Sequence, residues 1–112
     1  MGFHLMGPEK IFENRVKDFI IGQGGWLVKF FANRMTKKGI PDILACVNGY
    51  FLAVEIKAQN GKPSKLQIMN CDKIKASGGQ AFILYPSGFN EFKKIVKAMN
   101  QDVFYNKPLI LK

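Results

Sequence analysis

The sequence has 112 residues, 47% of them hydrophobic, which is enough for one domain with a buried core. No run of 18 apolar residues occurs, so we expect no transmembrane helix. Seventeen Lys and Arg residues against eight Asp and Glu residues give a net charge of +9 and a pI near 9.7, which favours a polyanionic partner. Nucleic acid is the leading candidate, ahead of an acidic protein or membrane surface.

The first residues lack the basic and apolar regions of a signal peptide, so we expect a cytoplasmic protein. Cys46 and Cys71 each lie in an apolar segment without a CxxC partner, which predicts two buried free thiols in a reducing compartment. Together with His4 they make a poor zinc ligand set.

Apolar spacing and turn residues predict seven elements in one domain spanning residues 1–112. In chain order they are a helix over 8–21, strands over 26–31, 43–47 and 50–57, a helix over 65–76, a strand over 80–85 and a helix over 89–99. This α-β-β-β-α-β-α order predicts an α/β fold, with one mixed sheet flanked by helices. A basic loop covers residues 34–39, and the apolar tail, residues 103–111, could pair with a sheet edge or with a second subunit.

The dipeptide Asn48-Gly49 between the second and third strands is the strongest short hairpin signal. A two-residue turn there places Asp42 directly opposite Glu55, with Lys57 two residues further along the same face. The two carboxylates would then lie roughly 5 Å apart at Cβ, which destabilises a sheet unless a divalent cation lies between them. The alternative is an edge strand on which Glu55 and Lys57 are simply solvated, since an ExK triplet alone is common.

Residues 39–67, GIPDILACVNGYFLAVEIKAQNGKPSKLQ, resemble the core of the PD-(D/E)XK nuclease superfamily. They resemble in particular the VRR-NUC family, whose members carry a G-x-PD segment, a hairpin, an ExK and a downstream Gln. The resemblance extends from Glu13 to about Tyr85. It implies a restriction-endonuclease-like core and a metal-dependent endonuclease that hydrolyses DNA phosphodiester bonds, with Mg²⁺, or Mn²⁺ in its place, as cofactor.

The resemblance also implies roles for individual residues. Asp42, Glu55 and the backbone carbonyl of Ile56 would hold the metal. Lys57 would position or polarise the attacking water and offset charge on the phosphate. Glu13 matches the family's acid on the first helix, where it could hold a water molecule at the metal site.

Two of these assignments have structural alternatives. Glu13 could be a surface acid of the helix, as Glu9 one turn earlier could be. Gln67 matches the residue that supports the active site in the family, but Ser64-x-x-Gln67 is also a capping box, and both roles can hold together.

Lys29 and Lys38 are candidates for phosphate contacts, although each could equally be a solvated charge. Stand-alone VRR-NUC domains are similar to phage nucleases and to Holliday junction resolvases, which work as dimers. We therefore expect a DNA substrate, possible selectivity for Holliday junctions or other branched DNA, a homodimer, and a phage or bacterial origin.

Two other kinds of protein compete with the nuclease interpretation. One is a catalytically inert, basic nucleic-acid-binding protein, against which the intact Asp42, Glu55 and Lys57 argue. The other is a protein-interaction module of a toxin or phage system, which leaves the facing carboxylates unexplained. Metal-dependent cleavage would separate the nuclease from both.

Overall fold

The computed structural model describes residues 6–31 and 38–101. The elements are helix α1 (Pro8–Gly22), strands β1 (Trp26–Lys29), β2 (Ile43–Val47) and β3 (Tyr50–Ile56), helix α2 (Lys65–Ala76), strand β4 (Gln80–Leu84) and helix α3 (Phe89–Gln101), which a 3-10 turn over Pro86–Gly88 precedes. This order confirms the predicted α-β-β-β-α-β-α arrangement. The predicted tail over 103–111 and residues 34–37 of the predicted basic loop lie outside the described residues.

The hairpin of β2 and β3 has the predicted two-residue turn. Asn48 and Gly49 both have positive φ angles, 48° and 85°, as a type I′ turn requires. The strand register is the predicted one from the turn back to Ile43. The paired register ends at Ile43 and Val54, and Asp42 and Glu55 are the residues that adjoin this last pair.

The four strands form one mixed sheet in the order β1-β2-β3-β4. The first three pair antiparallel, whereas β3 and β4 pair parallel, because α2 carries the chain back between them. Helices α1 and α3 pack on one face, and α2 packs mainly over β4 and β3 on the other. The fold is therefore α/β and consistent with the restriction-endonuclease-like core that was predicted.

The main core lies between the sheet and the α1–α3 layer. It is built from apolar side chains that alternate along the strands and recur at helical spacing on both helices. Its most deeply buried members are Val16, Ile20, Ile43, Val47, Leu52, Val54, Ile56, Phe92 and Val96. Within residues 6–31 and 38–101, no helix is long and apolar enough to cross a membrane.

The two cysteines differ in burial. Cys71 on α2 is buried as predicted, but the prediction for Cys46 is wrong, because its side chain is exposed. Helix α2 packs mainly over β4 and β3, so no helix within residues 6–31 and 38–101 covers the same face where β1 pairs with β2. Cys46 lies there between its cross-strand partners Trp26 and Phe51, which are 67% and 44% exposed. We call Trp26, Cys46 and Phe51 the outer apolar row.

Candidate active site

The end of β1, the start of β2 and the end of β3 meet at one end of the sheet, and Asp42 is fixed between them. Its backbone carbonyl accepts a hydrogen bond from the N–H of Phe30 at 2.8 Å. Its Oδ2 accepts another from the N–H of Ile56, also at 2.8 Å. The side chain of Asp42 therefore accepts the hydrogen bond that a backbone carbonyl of β2 would accept in a regular ladder. This bond holds its carboxylate at the end of the hairpin.

Glu55 is the most unusual residue of this region, because its carboxylate is only 2% exposed. Its Oε1 has no hydrogen-bond partner among the residues that the structure describes, and its Oε2 lies 3.5 Å from Nζ of Lys57. Burial and, after it, the neighbouring Asp42 raise the pKa of Glu55 to about 8, and Lys57 opposes the rise. The edge-strand alternative, with Glu55 solvated, is therefore wrong.

The backbone carbonyl of Ile56 belongs to the same cluster. If the hairpin register continues, the residue opposite Ile56 is Pro41. Proline has no N–H, so the ladder cannot supply a donor to this carbonyl. The Ile56 N–H and C=O point to the same side of β3, toward the carboxylate of Asp42. The strand thus presents a carbonyl oxygen beside Asp42, and its role as a metal ligand, which the family resemblance implies, remains a prediction.

Glu13 lies inside the buried stripe of α1 rather than at its edge, and it is 5% exposed. Its carboxylate pairs with Nζ of Lys29 at 2.5 Å, of Lys10 at 2.8 Å and of Lys17 at 3.5 Å. Burial raises the pKa of Glu13, but the hydrogen bonds and charges of Lys10 and Lys29 outweigh this and lower it. Lys10 and Lys17 were not predicted as partners of Glu13, although their spacing of three and four residues from it is typical of helix ion pairs.

Lys29 connects Glu13 to the strand cluster, since its Nζ also lies 3.3 Å from Oδ1 of Asp42. Its side chain is 19% exposed. Burial lowers the pKa of Lys29, but the hydrogen bond to Glu13 and the charge of Asp42 outweigh this and raise it. Strand β1 ends at Lys29, two residues earlier than predicted. The structure therefore places Lys29 beside Glu13 and Asp42, which argues against a fully solvated charge, and a contact with a phosphate remains a prediction.

The two other predicted site residues occupy different surroundings. Gln67 forms the capping box of α2: its Oε1 accepts from the Ser64 N–H at 2.8 Å, and its own N–H donates to Ser64 Oγ at 3.1 Å. The capping role is confirmed, and catalytic support remains a prediction. Lys38 is exposed, and its backbone carbonyl accepts a hydrogen bond from Nδ2 of Asn70 at 3.2 Å.

The donor set can be compared with the needs of a divalent cation. The described part of the chain holds no group of three or more His, Cys, Asp and Glu side chains arranged for a metal. Asp42 and Glu55 supply two carboxylates, and Ile56 supplies a carbonyl oxygen. A hard cation such as Mg²⁺ binds one or two carboxylates and completes its shell with water and substrate oxygens. The buried Oε1 of Glu55, for which the described ranges supply no hydrogen-bond donor, fits such a cation.

Comparison with known proteins gives one family. The family model of archaeal Holliday junction resolvases (Hjc) matches residues 9–101, which include every predicted site residue. No curated protein matches the chain closely enough to count as a relative.

Proposed function

The chain belongs to the archaeal Holliday junction resolvase family, and we propose on this basis that it is a metal-dependent endonuclease that cuts four-way DNA junctions. The observation that carries the proposal is the buried carboxylate of Glu55, which lies close to Asp42 and Lys57 and has one oxygen without a hydrogen-bond partner among the described residues. Ionisation of a buried carboxyl group is costly unless a positive charge lies beside it, and a divalent cation would supply that charge. The basic composition of the chain fits a DNA substrate.

The proposed roles come from the family resemblance, and the geometry of the cluster supports them. Asp42, Glu55 and the carbonyl of Ile56 would hold Mg²⁺, or Mn²⁺ in its place. A bound divalent cation supplies Lewis-acid chemistry, making water more acidic and neutralising charge on the phosphate. Lys57 donates hydrogen bonds to the attacking water and to the phosphate oxygens, where negative charge increases in the transition state. None of these four residues is a histidine, and the proposed hydrolysis needs none.

Glu13 and Lys29 form the boundary of the site toward α1. Lys29 balances the charge of Asp42 and holds it in place from the β1 side. Glu13 in turn fixes the ammonium group of Lys29 and is the candidate acceptor for a water molecule at the site. The narrower VRR-NUC assignment, the phage or bacterial origin and the cytoplasmic location rest on sequence features alone, and they remain proposals.

We also propose that the protein acts as a homodimer, because a four-way junction requires two cuts. The outer apolar row supports this proposal, since it exposes two aromatic side chains, one on each side of Cys46, on a sheet face that no helix of the described residues covers there. Exposed aromatic clusters of this kind are typical of protein interfaces. The second copy of the chain would cover this face.

A cleavage assay tests the nuclease proposal. Labelled duplex, single-stranded, flap and four-way-junction DNAs would be incubated with Mg²⁺, Mn²⁺ or EDTA. The variant Lys57→Ala removes the proposed catalytic ammonium group, and Lys73→Ala removes an equal charge from the exposed last turn of α2 as a matched control. We expect cleavage of the junction that needs metal, persists in Lys73→Ala and falls at least about a hundredfold in Lys57→Ala.

The other outcomes of this assay are informative. DNA binding without cleavage of any substrate, with both metals tried and folded protein, would favour the inert nucleic-acid-binding alternative. Equal cleavage by wild type and Lys57→Ala would show that the assigned cluster is not the catalytic centre.

A further inference from the structure

A polar groove lies beside the proposed active site, at the end of the sheet where β3 and β4 finish. It has a volume of about 450 Å³, which is within the range of small-ligand sites. Its lining residues are Gln59, Asn60, Gly61, Lys62, Tyr85 and Ser87. None of the six is acidic, so the groove suits a ligand that carries negative charge. We call it the Tyr85 groove.

Hydrogen bonds between side chains and the backbone fix the walls of this groove. The hydroxyl group of Tyr85 donates to the carbonyl of Gly61 at 2.8 Å, which holds the phenol ring in one orientation. Gln59 makes two hydrogen bonds with Ser87, its Nε2 donating to Oγ and its Oε1 accepting from the N–H, both at 3.2 Å. The loop after β3 is therefore attached to the segment after β4 at two points, and the groove between them is formed without a ligand.

The Tyr85 groove adjoins the proposed catalytic lysine. The N–H of Lys57 donates to the carbonyl of Leu84 at 3.0 Å, so Lys57 and Tyr85 leave neighbouring parallel strands side by side. A Cβ atom on Gly61 would lie 3.5 Å from Cδ of Lys57 and 3.2 Å from the carbonyl oxygen of Ala58. The absence of a side chain at Gly61 therefore keeps space open between the Lys57 side chain and the groove. The carboxyl ends of parallel strands are also where α/β proteins usually bind ligands.

The chemical groups of the groove match the parts of a nucleotide. Tyr85 offers a fixed aromatic ring, on which bases of any sequence can stack. Asn60 offers an amide, which can both donate to and accept from a base edge. Lys62 is exposed at the rim and offers an ammonium group for a phosphate.

We propose that the Tyr85 groove binds one nucleotide of the cleaved strand, the neighbour of the scissile phosphate, with its base stacked on Tyr85 and its phosphate on Lys62. This inference rests on the proposed nuclease function, because it takes the phosphate at Lys57 as the one that is cut. A base can reach the groove only after it leaves the duplex stack. Unstacking costs least where a nucleotide is already unpaired, so the groove selects DNA in which pairing is interrupted next to the cut.

The experiment couples Tyr85 to a single base of the substrate. The cut site on a four-way junction would first be mapped with wild type and Mg²⁺. Dissociation constants would then be measured in EDTA for junctions that carry one abasic residue at each position around the cut, with wild type, Tyr85→Leu and Tyr85→Phe. The variant Tyr85→Phe is the matched control, because it keeps the ring and loses only the hydroxyl hydrogen bond.

We expect one position next to the cut at which the abasic residue weakens binding by wild type about five- to hundredfold. The same abasic residue should weaken binding by Tyr85→Leu only slightly, and it should weaken binding by Tyr85→Phe nearly as much as binding by wild type. Equal losses for wild type and Tyr85→Leu, or no sensitive position, would overturn the proposal. A measurement on wild type alone covers the case in which Tyr85→Leu does not fold. An aromatic base analogue without hydrogen-bonding groups should restore affinity at the sensitive position, and failure to restore it would contradict stacking.

The failure of this proposal can be told apart from the failure of the nuclease proposal. If no DNA is cut, the abasic residue would be placed at every position of the junction in turn. A position at which it weakens binding by wild type but not by Tyr85→Leu would still show that the groove binds a nucleotide. If the junction is cut but no position couples to Tyr85, the groove proposal alone is wrong. If the protein does not bind the junction, both are wrong.

Discussion

The Nζ of Lys29 lies 3.3 Å from Oδ1 of Asp42, so a cation of the protein itself stands beside one of the proposed metal ligands. In the absence of a metal, this ammonium group balances Asp42 and Glu13. When a divalent cation binds, the two positive charges repel each other across a partly buried site. We therefore expect Lys29 to stabilise the metal-free fold and to lower the affinity of the site for a metal.

We accordingly expect Lys29→Met to bind Mn²⁺ roughly tenfold more tightly than wild type in the absence of DNA. Isothermal titration calorimetry would measure the change. Lys17→Met is the matched control, because Lys17 also pairs with Glu13, at 3.5 Å. The Mn²⁺ affinity of Lys17→Met should change less than that of Lys29→Met. Unchanged or weaker metal binding by a folded Lys29→Met protein would show that Lys29 does not oppose a metal.

The raised pKa of Glu55 makes the stability of the metal-free protein depend on pH. Its folded-state pKa is about 8 against an ordinary value of 4.5, so the folded state favours the protonated carboxyl. This stabilising contribution is complete below about pH 4.5 and is lost as the pH rises toward about 8. We expect Glu55→Gln and wild type to melt at similar temperatures near pH 4.5, and Glu55→Gln to melt higher at pH 8.5, by several degrees.

Calorimetric melting curves in EDTA would measure this difference, with Glu91→Gln, an exposed acid of α3, as the control. Addition of Mg²⁺ at pH 8.5 should raise the melting temperature of wild type and leave Glu55→Gln nearly unchanged. A difference between Glu55→Gln and wild type that does not vary with pH would contradict the buried, protonated state of Glu55.

The two roles of Gln67 can be separated by comparing it with its capping partner. Ser64→Ala and Gln67→Ala each break the capping box, so each should lower the free energy of unfolding by roughly 1 kcal/mol. If Gln67 also supports catalysis, as predicted, Gln67→Ala alone should reduce cleavage, by about tenfold. Denaturant unfolding and junction cleavage would be measured on both variants. Equal activities would leave Gln67 as a cap only.

The dimer proposal predicts that Trp26, the only tryptophan in the chain, reports on association. Its fluorescence emission should shift to shorter wavelength as protein concentration rises, because the second copy removes the ring from water. Phe51→Glu should keep the protein monomeric in sedimentation equilibrium. Ile21→Glu is the matched control, since Ile21 is 57% exposed on α1, away from the outer apolar row, and it should not affect association. A wild-type protein that stays monomeric would disprove the proposal.

The arrangement of Asp42 and Glu55 could be predicted because it depends on local chemistry. The Asn48-Gly49 turn fixes the register, and the register fixes which residues face each other. The capping box at Ser64 followed from the same kind of short-range rule.

Other features depend on contacts that are distant in sequence. Both faces of β2 are apolar, so alternation alone could not show that Cys46 lies where α2 provides no cover. The ion pair between Lys29 and Glu13 could not be predicted, because the sequence does not show which residues of α1 pack against β1.

The hairpin turn also links the length of the chain to its chemistry. The turn lies at one end of β2 and β3, and Asp42 and Glu55 lie at the other. The number of residues in each strand between the turn and its carboxylate therefore decides whether the two carboxylates lie on the same face. A substitution in the turn would weaken the hairpin but leave the number of residues in each strand unchanged. One inserted or deleted residue in either arm would reverse the faces of that strand and turn its carboxylate away from the other. Between Asp42 and Glu55, this protein should therefore tolerate changes of residue far better than changes of number.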